Sequence, residues 1–257
     1  MSAVKYQLEL FWLALGFFSR LPIPANTPYS EERMNQAGRY FALVGLLLGA
    51  FCALCFALVS MVLPTPVAIF IMMCFSLMLT GAFHEDGLTD MADGIGGGMT
   101  LERRLTIMKD SRIGTYGASA LVMALLGKFV LLSELAKWQM VIPALVASYV
   151  ISRGVAASLI HDTPYVSDID TSKSKPLANK QSQVELVVLL ATSLIPMLWL
   201  ELSLVVSMLV VIVPLRFVFR TWLLKRIGGF TGDCLGAAQQ LSELTLYMVI
   251  LIWLGVH

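Results

Sequence analysis

Long, uninterrupted apolar stretches constrain this chain more than any other feature. The first clear one covers 40–63, and others follow at 67–83, 115–137, 140–160, 184–200, 203–219 and about 235–256. A hydrocarbon core ~30 Å thick is crossed by roughly 20 apolar residues in helical form. The expected fold is therefore all-α, a polytopic membrane helix bundle of about six to seven transmembrane helices. Composition agrees: 58% of the residues are hydrophobic and 14% charged, whereas about a quarter are charged in soluble domains. The 257 residues suit one integral membrane domain, 1–257, better than several. Residues 4–19 are apolar and aromatic but short for a span. They predict an N-terminal interfacial or re-entrant helix, with a true first span as the alternative. Arg20-Leu21-Pro22-Ile23-Pro24 follows in place of a small-residue cleavage site, so no signal peptide is expected.

The spacing between spans alternates. Long polar segments at 25–39, 84–114, 161–183 and 220–233 fall on one side, and the turns on the other side are minimal. The long segments hold Arg33, Arg39, Arg103, Arg104, Lys109, Arg112, Lys173, Lys175, Lys180, Arg220, Lys225 and Arg226, against Lys137 alone on the other side. The positive-inside rule then makes the long segments cytoplasmic. Gly45-x-x-x-Gly49 is a candidate close helix contact. Cys52, Cys55 and Cys74 lie in apolar spans and Cys234 beside glycines. With no histidine or second cysteine pair near Cys52-x-x-Cys55, buried and inert thiols are expected.

Charge concentrates in one place, residues 83–112 (FHEDGLTDMADGIGGGMTLERRLTIMKDSR). Asp86, Asp90 and Asp93 stand at i, i+4 and i+7, which on a helix shares one face. Three like charges so close call for a cation, and Mg²⁺, which prefers oxygen ligands and keeps a phosphate among them, is the expected cofactor. Arg103, Arg104, Lys109 and Arg112 can hold a phosphorylated substrate. The competing reading is a solvated acidic helix start. Lys128, Glu134, Arg153 and Arg216 lie inside spans, where each costs about 2.5–3.5 kcal/mol on insertion scales. Arg153 is expected to touch substrate, and pairing between spans is the alternative for the rest. The run Gly228-Gly229-Phe230-Thr231-Gly232-Asp233 enters the last span. It can present backbone N–H groups to an anion, or Asp233 can serve only as an N-cap. Glu243 lies further along that span and favours a functional reading.

These residues resemble a known family. The run Gly81-x-x-His84-x-Asp86-Gly87-Leu88-x-Asp90-x-x-Asp93-Gly94 is similar to the signature of the adenosylcobinamide-GDP ribazoletransferases, also called cobalamin-5'-phosphate synthases. Ile107-Met108-Lys109-Asp110-Ser111-Arg112-x-Gly114-x-x-Gly117 resembles that family's second motif, and Phe18-Ser19-Arg20-Leu21-Pro22-x-Pro24 its N-terminal one. Ser152-Arg153 and Gly228-Gly229-x-Thr231-Gly232-Asp233-x-Leu235-Gly236-Ala237 resemble its fourth-span arginine and C-terminal motif. One departure is visible: Gln240 stands where a glutamate is expected, while Glu243 is kept.

The resemblance implies that adenosylcobinamide-GDP reacts with α-ribazole or its 5'-phosphate, releasing GMP and giving adenosylcobalamin or its phosphate. Asp86, Asp90 and Asp93 would bind one or two Mg²⁺ ions bridging the diphosphate, and Arg103, Arg104, Lys109 and Arg112 would hold phosphate oxygens. His84, or a carboxylate free of metal, would remove the hydroxyl proton, with a helix-orienting His84 as the alternative. Asp233 and Glu243 would complete the pocket near the second substrate. The expected partners are the two substrates and the lipid bilayer, with no nucleic acid and self-association left open. Two other readings stand beside it. A CDP-alcohol phosphotransferase or prenyltransferase fits less well, because no arginine follows Asp86-Gly87 until Arg103 and no second aspartate motif exists. A transporter fits less well because no internal repeat appears.

Overall fold

A computed structural model describes residues 3–167 and 180–256. Part of the 161–183 segment, including Lys173 and Lys175, lies outside the described residues. The architecture is an all-α bundle. Helix α1 covers Ala3–Phe18, α2 Glu31–Ala37, α3 Phe41–Ser60, α4 Thr65–Thr80, α5 Phe83–Gly97 and α6 Leu101–Met108. Then come α7 Thr115–Lys137, α8 Val141–Asp162, α9 Gln183–Ser193, α10 Leu202–Ile227 and α11 Gly232–Val256. Among the described residues, five helices are long and apolar enough to cross a membrane, or six if the bent pair α4 and α5 is one span. The protein is an integral membrane protein.

Several boundaries differ from expectation for identifiable reasons. The stretch 184–200 forms only the short α9 and a 3₁₀ turn, Ile195–Trp199, because Pro196 cannot continue the helix. The segment 220–233 is not a loop throughout: α10 runs on to Ile227 and stops at Gly228, which has φ 76°. The segment 84–114 is likewise largely helical, as α5 and α6. The short α1 is 16 residues long and is held to α2 by Arg33 Nη1 and Glu9 Oε2 at 2.7 Å.

The buried centre is α3, α8 and α11 with α5 against them. Gly45 and Gly49 do set a close approach. A Cβ on Gly45 would lie 2.4 Å from the Tyr149 carbonyl oxygen, and one on Gly49 3.0 Å from Tyr149 Cβ. All four cysteines are free, and Cys52 and Cys234 are buried, but Cys74 is exposed on the outer surface of α4. The polar segments gather at one end of the bundle. Arg104 Nη1 donates to the Arg226 carbonyl at 2.7 Å, and Lys180 N–H to Asn35 Oδ1 at 3.3 Å. Val166 N–H donates to the Phe230 carbonyl at 3.0 Å, and Arg39 pairs with Glu185.

Candidate active site

The aspartate helix owes its position to a corner. Gly81 and Ala82 have φ values of 65° and 55°, and the chain turns by 84° from α4 into α5 there. A Cβ at Gly81 would lie 2.5 Å from Arg20 Nε, and the Arg20 N–H donates to the Leu79 carbonyl at 2.8 Å. The segment after α1 thus folds onto the corner. Beyond it, α5 touches α11 backbone to backbone. A Cβ on Gly87 would come 2.9 Å from the Asp233 carbonyl oxygen, and one on Gly236 3.1 Å from the His84 carbonyl oxygen. This contact sets Asp233 beside the turn of α5 that carries Asp86. The cap of α11 is Thr231, not Asp233: Thr231 Oγ1 accepts from the Cys234 N–H at 3.4 Å and donates to Asp233 Oδ2 at 3.2 Å.

The three aspartates are on one helix, as their spacing predicts, but they do different things. Asp86 is exposed and Asp90 half-buried. Asp93 is buried, and its two oxygens accept from the Gly114 N–H at 2.7 Å and the Gly117 N–H at 2.8 Å. Only glycine permits this, because a Cβ would sit 2.5 Å from Asp93 Oδ1 at position 114 and 2.3 Å from Oδ2 at position 117. Asp93 therefore clamps the start of α7 to α5. The run from Lys109 to Arg112 thus joins the end of α6 to the clamped start of α7.

The basic residues also divide. Arg103 is exposed, and Lys109 is half-buried at the end of α6. Arg112 is exposed and bonded to Asp110, Nη2 to Oδ2 at 2.7 Å; those hydrogen bonds raise its pKa, keeping it cationic. Arg104 differs from its expected role. Its Nε donates to the Gly98 carbonyl at 2.8 Å and its Nη1 to the Arg226 carbonyl, so it ties α6 to α10.

Glu243 does not face an open pocket. It is buried on α11, with Oε1 3.1 Å from Lys128 Nζ on α7. Tyr247 donates to it at 3.0 Å and Gln239 Nε2 at 2.6 Å. Lys128 Nζ also lies 3.7 Å from Glu85 Oε1, which accepts from Gln240 Nε2 at 3.0 Å. The pairing explains how Lys128 is tolerated in a span. Glu134, by contrast, is exposed and pairs with Lys137 at 2.7 Å. Glu85 is the member that sequence reasoning missed. Its only signal was a carboxylate one position from the aspartate face, pointing toward the apolar side.

His84 is buried, its ring stacked on Phe18 at 5.5 Å and 7° and edge-on to Phe83. Arg153 shares a narrow cavity with it, beside Gln239 and the start of α11. The Arg153 Nη1 donates to the Tyr149 carbonyl at 3.0 Å and its guanidinium lies 4.8 Å from the Tyr149 ring centre, while Nε is buried without a partner.

Among the described residues, no three His, Cys, Asp or Glu side chains converge as a preformed metal cage. Mg²⁺ rarely uses one; one or two carboxylates with water and substrate phosphates suffice. Asp86, exposed, and Asp90, half-buried one turn further along α5, fit that pattern. Asp93, with both oxygens held by backbone N–H groups, fits it less.

The comparisons with known proteins follow the same lines. The cobalamin-5-phosphate synthase family matches residues 10–251. An adenosylcobinamide-GDP ribazoletransferase of Vibrio parahaemolyticus is 62% identical over 97% of this chain and 94% of its own length. Proteins of the same name from Vibrio cholerae and Shewanella pealeana are 59% and 50% identical, over 98% and 100% of this chain and 97% and 99% of their own lengths. No solved structure gives a significant match. Matched by the family model over nearly its whole length and by near full-length relatives at 50–62% identity, the chain belongs to the cobalamin-5-phosphate synthase family.

Proposed function

We propose that the protein transfers the cobinamide-phosphate moiety of adenosylcobinamide-GDP to α-ribazole or α-ribazole 5'-phosphate, releasing GMP. The observation that supports this reading is the Asp93 clamp, which ties the start of α7, just after the basic run ending at Arg112, to the helix that carries Asp86 and Asp90. A ribazole hydroxyl oxygen attacks the corrinoid-side phosphorus, and the bond from that phosphorus to the GMP oxygen breaks. Such a transfer needs alignment and charge neutralisation more than covalent help from the protein.

Asp86 and Asp90 would hold Mg²⁺. Bound there, it would supply charge neutralisation for the diphosphate and the departing GMP. Arg103, Lys109 and Arg112 bind phosphate oxygens from the same face. Asp233, oriented by Thr231, is the proton acceptor for the attacking hydroxyl. His84, packed between aromatic rings, orients the first turn of α5. Arg153 and Glu243 act from behind the site. The polar end of the bundle faces the cytoplasm of an inner membrane, where the cationic excess of that end belongs. Lys128 is held by Glu243 and Glu85 within the bundle, which suits a structural role for these charges better than a transport path.

The test is GMP release by the purified protein given both substrates, with and without Mg²⁺, beside Asp86→Asn and Asp90→Asn. Loss of a metal contact worth several kcal/mol predicts a rate reduction of about 100-fold or more in each variant. A folded protein inert on these substrates but active on a CDP-alcohol or a prenyl diphosphate would overturn the assignment.

A further inference from the structure

A second feature lies away from the aspartates. Between α8, α9 and α10 runs an apolar groove of about 490 Å³, open on one side. Ligand sites usually occupy roughly 300–1,000 Å³, so this groove is large enough for a long aliphatic molecule. Its walls include Ile151, Val155, Leu190, Leu194, Ile212 and Val213. The groove follows from chain lengths. Helix α9 with its 3₁₀ turn ends at Trp199, short of the roughly 20 residues that a span requires. Helix α8 closes on α9 at Gly154, where a Cβ would lie 2.1 Å from Ser193 Oγ. Helix α10 stands away from both, with 17% of its apolar window buried.

One end of the groove is charged. Arg216 reaches Asp162 Oδ1 at 2.5 Å and the Ser158 carbonyl at 2.9 Å. Arg220 lies one turn nearer the aspartate end of the bundle, with Nε 3.2 Å from Asp162 Oδ2. Two guanidiniums thus share one carboxylate, Arg216 lining the groove and Arg220 one turn beyond it, so among the described residues this end carries a net positive charge. Trp222 and Lys225 follow on α10, residue types that settle at membrane interfaces. From Leu209, deep in the groove, to Arg220 is eleven residues, about 16 Å at the helical rise. That is close to half of a hydrocarbon core ~30 Å thick, the depth of one leaflet.

We propose that this groove binds an anionic phospholipid from the leaflet on the aspartate-bearing side, with an acyl chain along α10 and the phosphate at Arg220 and Arg216. A lipid here fills the notch left by the short α9 and fixes α10 against the bundle.

The full-length protein is exchanged into mixed vesicles of phosphatidylglycerol and phosphatidylethanolamine, and retained lipid is counted by native mass spectrometry. Retention of phosphatidylglycerol is expected. Arg220→Gln should weaken it about fivefold, the share of one cation near an anionic lipid surface. Val213→Trp, at an exposed position that fills the groove, should abolish it. Both variants are first checked for an unchanged unfolding midpoint in lipid-free detergent; Val155→Phe replaces Val213→Trp if the latter is unstable. Equal retention of both lipids, or retention unaffected by filling the groove, would overturn the proposal. A dimer mass that disappears on filling the groove would assign it to a second copy of the chain instead.

Discussion

Lys128 is the residue on which the buried side of the site turns. It is 6% exposed, lies 3.1 Å from Glu243 and 3.7 Å from Glu85, and so links α7 to α11 and α5. Removing one partner of such a pair leaves the others buried and uncompensated, which typically costs about 3–5 kcal/mol. Lys128→Met should lower stability by that amount, read by denaturant unfolding in micelles. Lys128→Met combined with Glu85→Gln and Glu243→Gln should recover much of the loss. A single variant as stable as the parent would show that the carboxylates are held by other groups.

At the scale of elements, the junction of α5 with α7 is the joint most sensitive to a single methyl group. Gly117→Ala would press a Cβ to within 2.3 Å of Asp93 Oδ2 and 2.7 Å of Thr89 Cγ2, and overpacking of this kind costs about 1–3 kcal/mol. We expect slower GMP release with the apparent Mg²⁺ requirement raised, measured by metal titration of the variant. Much of this element structure was legible beforehand. The apolar runs located α3, α7, α8 and α11, and the i, i+4, i+7 spacing located α5. Less legible was the fate of individual polar side chains. Asp93 looks like Asp86 and Asp90 in sequence, and only the arrival of Gly114 and Gly117 makes it a clamp. Arg104 looks like Arg103, yet it meets two backbone carbonyls that come from elsewhere in the chain. Periodicity reports which face a residue occupies; it does not report which distant backbone group will meet it. For the same reason the α10 boundary was misplaced, since basic residues that suit a loop also suit the last turns of a helix extending beyond the hydrocarbon.

For the whole molecule, the crowding of cations at the aspartate end supports the cytoplasmic orientation proposed above, and labelling tests it. In a cysteine-free background, Arg103→Cys should resist a membrane-impermeant maleimide added to intact spheroplasts. Gln139→Cys, in the turn between α7 and α8, should react. The reverse labelling would turn the bundle over and remove the site from cytoplasmic nucleotides. The interior has its own large-scale property. Glu85 and Glu243 are matched by Lys128 and Arg153, with the neutral Gln240 completing the group. A single charge displaced across a membrane exchanges about 2.3 kcal/mol with each 100 mV of potential. These four side chains sum to zero, so that voltage exerts almost no net pull on the group they form. Gln240→Glu would end that indifference by giving the membrane potential a net charge to act on.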